Sequence, residues 1–229
     1  MPQPNLLRAL PISFFLVLLF ITTCFGAEEP IVPPTGGQDV LTFTADSAVK
    51  FRKSKIEATA NWVPVKEMPF STAYQVDSNV RYSDPKNMRV VVPIDSAFKK
   101  GDVMLLSFWI RRPKAGGQPN NVYLNVQAGV GKPRFQYKLG AYRAWQQHVR
   151  SFVAATDYDP KQSNVTILLG EAGTMAEIAE LRLVNYGADY DIKSLPYSTI
   201  NYKGRDAGAQ WRKDALARIE KIRKGDKSV

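Results

Sequence analysis

The chain has 229 residues, of which 45% are hydrophobic and 11% aromatic; that suffices for one sizeable packed domain and excludes a disordered chain. The formal charge of +10 is unevenly spread, since from Tyr202 to the end nine Lys/Arg stand against four Asp/Glu. The remainder is only mildly basic, which argues against nucleic acid as a partner, because such proteins carry a basic stripe with interleaved aromatics on the fold itself.

Residues 1–26 read as a signal peptide. Arg8 supplies the positive start, 14–21 is an unbroken apolar run, and Cys24-Phe25-Gly26 places small residues before the cleavage point. The run is far short of the ~20 residues of a membrane span. Lipoprotein processing at Cys24 fits less well, because Thr23 precedes it. Cleavage near Gly26 would give a secreted or periplasmic protein with no membrane contact. It would also remove the only cysteine, so no disulfide is expected. With one histidine, His148, and no thiol, a zinc site is not expected either.

Residues 27–39 (EEPIVPPTGG at 28–37) form a Pro/Gly-rich linker, and the domain proper spans 40–187. Strand-like segments lie at 40–44, 56–60, 62–66 and 71–76, broken by Pro64 and by a Met68-Pro69-Phe70 corner. Another, NMRVVVP at 87–93, follows an Asp84-Pro85 turn. A Lys100-Gly101-Asp102 turn then leads into VMLLSFWIRRP, a run closed by Pro113. Along it Leu106, Phe108 and Ile110 share one side, with Leu105, Ser107, Trp109 and Arg111 on the other. The first set is a dry core face. The second combines a large aromatic, a hydroxyl and a guanidinium, and reads as a recognition face.

After a loop at 114–119, Val122, Leu124 and Val126 alternate with Tyr123, Asn125 and Gln127. In 134–139, Phe135, Tyr137 and Leu139 alternate with Gln136 and Lys138. Strands at 145–154, 164–169 and 178–186 complete the set, the last offering Ile178, Leu181 and Leu183 to the interior. Many short strands at close turn spacing predict an all-β fold, an antiparallel jelly-roll sandwich. Residues 188–206 read as a connector. Residues 207–229 read as an amphipathic helix with Trp211, Ala215, Ile219 and Ile222 on one stripe, supported by the pairs Asp214–Arg218 and Glu220–Lys224. That stripe is expected to pack on the sandwich or on a following domain.

If their strands are neighbours, Trp109, Arg111, Tyr123, Asn125, Gln127 and Gln136 form a polar cleft with aromatic walls, suited to a sugar ring and its hydroxyls. The competing roles are structural, a loop over Trp109 and a carboxylate paired with Arg111. Trp62, Tyr74 and Tyr82 read as core or loop packing, Trp145 as an edge anchor and His148 as a surface or satisfied histidine. Glycoside cleavage needs two carboxylates facing each other roughly 5–10 Å apart. Glu171, Glu177 and Glu180 are close in sequence but read better as a charged rim. No phosphate loop, nucleophile elbow or metal motif is present.

Taken in order, KGD-VMLLSFWIRRP, AWQQHVRSFVA and VTILLGEAG…IAELRLVNYG resemble the CenC-like carbohydrate-binding modules found at the front of xylanases, over about 40–187. The following LPYSTINYKGRDAGAQWRKDALARIEKIRKGD resembles the connector and first helix leading into glycoside hydrolase family 10 catalytic domains. The resemblance implies an exported, non-catalytic module that binds a β-glycan such as xylan and is associated with a glycosidase. It places sugar contact on Trp109, Arg111, Tyr123 and Gln127. Related modules often hold a structural calcium; where many have paired Asp residues in the closing strand, this chain has Ala179-Glu180, so no cofactor is expected. The rival expectations are a truncated family 10 endo-xylanase that itself cleaves glycosidic bonds, and a structural spacer without a ligand.

Overall fold

The computed structural model describes residues 29–54, 57–78, 84–114, 120–129, 131, 133–160, 162–172, 175–198 and 210–225. The expected signal peptide, Tyr82 and residues 199–206 of the expected connector lie outside the described residues. In chain order the strands are β1 (Gln38–Asp39), β2 (Lys50–Lys53), β3 (Ala58–Pro64), β4 (Thr72–Ser78), β5 (Met88–Pro93), β6 (Val103–Arg111), β7 (Asn120–Ala128), β8 (Phe135–Ala141), β9 (Gln146–Val153), β10 (Ser163–Leu168) and β11 (Met175–Asn185), followed by one helix, α1 (Gln210–Gly225). The protein is an antiparallel β-sandwich with a C-terminal helix, as the strand-rich sequence predicts.

Two sheets make the layers. One runs β3-β4-β11-β6-β9, with β1 paired to the end of β11; the other runs β2-β5-β10-β7-β8. Alternation puts one face of every strand between them. Met104, Leu106, Phe108 and Ile110 of β6 are buried against Val122, Leu124 and Val126 of β7, Val90 and Val92 of β5, and Val165 and Ile167 of β10. Each such side chain contributes about 1.5–3 kcal/mol on burial, so a core of this kind holds without a disulfide. Phe135 of β8 closes one edge by stacking on Phe152 of β9 at 4.1 Å. At the other, Phe43, Trp62 and Tyr74 form an aromatic cluster, Trp62 lying 4.9 Å from Phe43 and 5.3 Å from Tyr74. Trp62 and Tyr74 are thus packing residues.

β11 takes up an extra residue. Its register against β6 shifts between Ala179 and Arg182, with Glu180 exposed and at φ 48. Ile178 faces the core before this bulge, and Leu181 and Leu183 face it after. The 178–181–183 spacing in the sequence is the mark of that bulge.

The outer face of the β6 sheet is covered. The 65–70 corner brings Phe70, Met68 and Val65 over Trp109, while the 186–195 segment brings Ile192 and Leu195 against Leu105 and Val149. From the N-terminal side, the Ile31 N–H donates to Gln147 Oε1 (2.7 Å), and Gln147 Nε2 donates back to the Ile31 carbonyl (2.8 Å). The Tyr186 hydroxyl donates to the Pro34 carbonyl (2.8 Å). Both the expected linker and the start of the expected connector are therefore docked on the sandwich. In α1, Ile219 and Ile222 of the expected stripe are exposed among the described residues, as is Leu216. No helix among the described residues is long and apolar enough to cross a membrane.

Candidate functional site

The outer face of the second sheet bears a groove in which Asn125, Thr166 and Leu168 are buried while Arg52 is exposed, and its register fixes which side chains meet there. One row across β2, β5, β10, β7 and β8 reads Arg52, Arg89, Leu168, Tyr123 and Lys138. The next reads Lys50, Val91, Thr166, Asn125 and Gln136, and a third reads Pro93, Asn164 and Gln127. Five strands at the usual spacing give this face a width of roughly 19 Å. A groove of about 660 Å³ lies on it, lined by parts of the three rows together with Lys86, Gly131 and Pro133.

Short hydrogen bonds hold the groove's polar side chains. Gln136 Nε2 donates to Asn125 Oδ1 (2.9 Å). The Thr166 hydroxyl hydrogen is shared between Asn164 Oδ1 (2.6 Å) and Gln127 Oε1 (3.1 Å). With those three amide oxygens used as acceptors, the NH₂ groups of Asn125, Gln127 and Asn164 are the donors left for a ligand. Beside them Lys138 Nζ sits 5.6 Å from the centre of the Tyr123 ring.

Four of the six residues expected in a cleft, Tyr123, Asn125, Gln127 and Gln136, share this face. Trp109 and Arg111 do not, and here the expectation is corrected: β6 and β7 follow one another in sequence but belong to different sheets. Trp109 is only 8% exposed, with Phe70 5.8 Å from its ring and Ala73 and Ala179 packed around it. Arg111 Nε donates to Glu177 Oε2 at 2.5 Å, and its guanidinium carbon lies 4.7 Å above the Trp145 ring. Trp145 in turn meets Phe70 edge-on at 5.0 Å. Phe70, Trp109, Arg111 and Trp145 thus make a packed corner on the first sheet.

Arg52, Lys86, Arg89, Asn164 and Thr166 join the groove without having been singled out in the sequence. Arg89 and Thr166 carry a readable signal, as polar residues interrupting the apolar alternation of NMRVVVP and NVTILL. Arg52 carries none, because KFRK offers a single apolar residue between cations.

Other titratable groups lie elsewhere. Glu177 is buried, accepting also from Gln75 Nε2 (2.8 Å), whereas Glu171 accepts from Asn121 Nδ2 (3.0 Å) on the opposite sheet. With Glu180 exposed in the bulge, the three glutamates do not converge on one site. His148 points between the sheets, hydrogen-bonded through Nδ1 to the Tyr137 hydroxyl (3.0 Å) and stacked on Phe108 at 5.4 Å. Burial, reinforced by the nearby Arg150, pushes its pKa down to about 4, so it is neutral at pH 7. The Ala179-Glu180 position does not fit a calcium ion: Ala179 brings no donor and lies in an apolar cluster, and Glu180 is turned to solvent. Among the described residues no group of three or more His, Cys, Asp or Glu could hold a metal.

No family model matches the chain, and no curated protein does. Solved structures similar to it include one described as "CBM4 structure and function" (10% identity over 65% of this chain and 94% of that one, TM-score 0.46). A second is the CBM22-1 xylan-binding domain from Paenibacillus barcinonensis Xyn10C (11% identity, 66% and 96%, TM-score 0.46). A third is the N-terminal cellulose-binding domain of Cellulomonas fimi β-1,4-glucanase C (16% identity, 48% and 76%, TM-score 0.40).

Proposed function

We propose that this chain is an exported, non-catalytic carbohydrate-binding module that takes a β-glycan such as xylan along the open face of the β2-β5-β10-β7-β8 sheet. The observation that carries this reading is the contrast between the two outer faces. One is sealed by the 65–70 corner and by both flanking segments, and the other presents a groove lined by side-chain amides, a hydroxyl and long cations. Such a surface suits an extended, hydroxyl-rich chain, with Tyr123 beside the groove as the available flat ring. The ordered resemblance of the sequence motifs to CenC-like modules supports the same reading, and the resemblance of the last segment to a family 10 connector supports association with a glycosidase. Residues 1–26 then act as the export signal.

Affinity electrophoresis in gels containing soluble xylan, mixed-linkage glucan or no polysaccharide tests the proposal. The purified protein is expected to be slowed by at least one polysaccharide, and the Gln127→Ala/Gln136→Ala variant to be slowed less while unfolding at an unchanged temperature. No retardation in any gel, or equal retardation of the variant, would overturn it.

A further inference from the structure

The groove is rich in donors and poor in acceptors. Arg52, Lys86 and Arg89 line it, and none of its lining residues is Asp or Glu. Arg52 and Arg89 stand directly opposite each other on β2 and β5. Like charges in that position destabilise a strand pair. Among the described residues neither guanidinium has a carboxylate within ion-pair distance, whereas Lys99, Arg111, Lys114 and Arg182 each do. The amides add to the imbalance, because the oxygens of Asn125, Gln127 and Asn164 are already accepting within the groove. An occupant that brings acceptors, and negative ones for the arginine pair, matches this lining.

We infer that the occupant is an acidic glycan, one whose sugar units carry carboxylates. The inference rests on the carbohydrate reading above and specifies its ligand. Arg52 and Arg89 receive a carboxylate, for which the planar guanidinium is geometrically matched, and the neutral amides receive hydroxyl oxygens further along. A bound carboxylate also cancels the repulsion between the two arginines, so ligand binding relieves a strain that folding leaves in place.

Titration calorimetry at physiological salt, with glucuronoxylan, polygalacturonate and alginate, each native and carboxyl-reduced, tests this. A reduced polymer keeps its backbone and hydroxyls but loses its charge. At least one native polymer is expected to bind about tenfold or more tightly than its reduced form, the scale of one charge-assisted contact. Arg52→Ala and Arg89→Ala are expected to shrink that difference, because each costs the native polymer more affinity than the reduced one. Lys193→Ala, which removes the same charge from an exposed site beside the covered sheet, is expected to keep it. The arginine variants should unfold at the wild-type temperature or above, since they remove a repulsion.

Equal binding of native and reduced polymers would overturn the acidic-glycan assignment and leave the carbohydrate reading intact. Binding of none of them would overturn the acidic-glycan assignment, and with no retardation by mixed-linkage glucan either it would overturn the carbohydrate reading as well. Preference for a sulfated galactan over its desulfated form, without any preference among the carboxylated pairs, would replace carboxylate by sulfate and overturn the assignment. Equally tight, arginine-dependent binding of a single-stranded oligonucleotide would show a generic anion site and overturn it as well.

Discussion

Arg111 and Glu177 face each other in register across β6 and β11, with Arg111 Nε 2.5 Å from Glu177 Oε2. The carboxylate is 5% exposed and the guanidinium 32%, so the acid is the member that depends on its partner. Gln75 supplies a second donor, but a neutral one. Arg111→Ala is expected to destabilise the fold by about 2–4 kcal/mol, somewhat less than breaking a fully buried pair costs, since water reaches one side of it. Glu177→Gln, which keeps a polar group of the same size at that position, should cost less. Urea unfolding of the two variants measures the difference.

Trp109 is packed into the covered face. Trp109→Ala would empty a pocket formed by Phe70, Ala73, Ala179 and Trp145, at a cost of about 3–5 kcal/mol. The expected outcome is a large drop in unfolding temperature. Any protein that remains folded should bind glycan with wild-type affinity, because the groove lies on the other sheet. Selective loss of binding at unchanged stability would place the ligand on the β6 face instead.

The division between what could and could not be read in the sequence follows from what alternation encodes. Leu106, Phe108 and Ile110, or Val122, Leu124 and Val126, announce an inward face because period two is a local property of a strand. Sheet membership is not local. β7 follows β6 in sequence but belongs to the other sheet, so Trp109 and Tyr123 point out of opposite sides of the sandwich although both alternate with core residues. Whether an outward side chain meets water is settled by distant segments, here the corner at 65–70 and the segment after β11. The Met68-Pro69-Phe70 corner is visible as a break, but nothing in its sequence says where it folds back. On the grooved face the amides of β7 and β8 could be read as polar partners of a clean alternation. The cations of β2 and β5 could not, because β2 is too short and too charged to stand out as a strand.

His148 gives the fold a specific acid sensitivity. Its pKa falls from about 6.5 to about 4 on folding, so between those values the unfolded chain takes up a proton that the folded one refuses. The contribution is complete above pH 6.5 and is lost as pH falls toward 4, by about 3 kcal/mol in all. Tyr137 and Arg150 are its polar neighbours: the Arg150 guanidinium lies 4.6 Å above the Tyr137 ring and donates to the Ser198 carbonyl, and among the described residues no carboxylate contributes to the shift. Unfolding free energies at pH 7 and pH 4.5 should fall more steeply for the wild type than for His148→Gln. Parallel pH profiles would show that the histidine does not report burial.

Gly170 fixes one end of the groove. It begins a short 3₁₀ turn, 170–172, packed against another at 85–87 that carries Lys86. A Cβ at 170 would overlap the Asp84 carbonyl oxygen and lie 2.9 Å from Pro85 Cα, and backbone atoms cannot swing aside as a flexible side chain does. The 84–87 turn is itself tied down, with the Lys86 N–H donating to Asp84 Oδ1 (2.9 Å) and the Asn87 N–H to the Asp84 carbonyl (3.1 Å). Gly170→Ala must therefore displace that turn as a unit, at a cost of about 1–3 kcal/mol for overpacking. Because Lys86 rides on the displaced turn and Arg89 begins two residues beyond it, the variant should lose glycan affinity as well as stability. Glycan binding by calorimetry, set beside the thermal midpoint of the same preparation, separates the two effects: unchanged affinity in a folded Gly170→Ala protein would detach this end of the groove from the ligand.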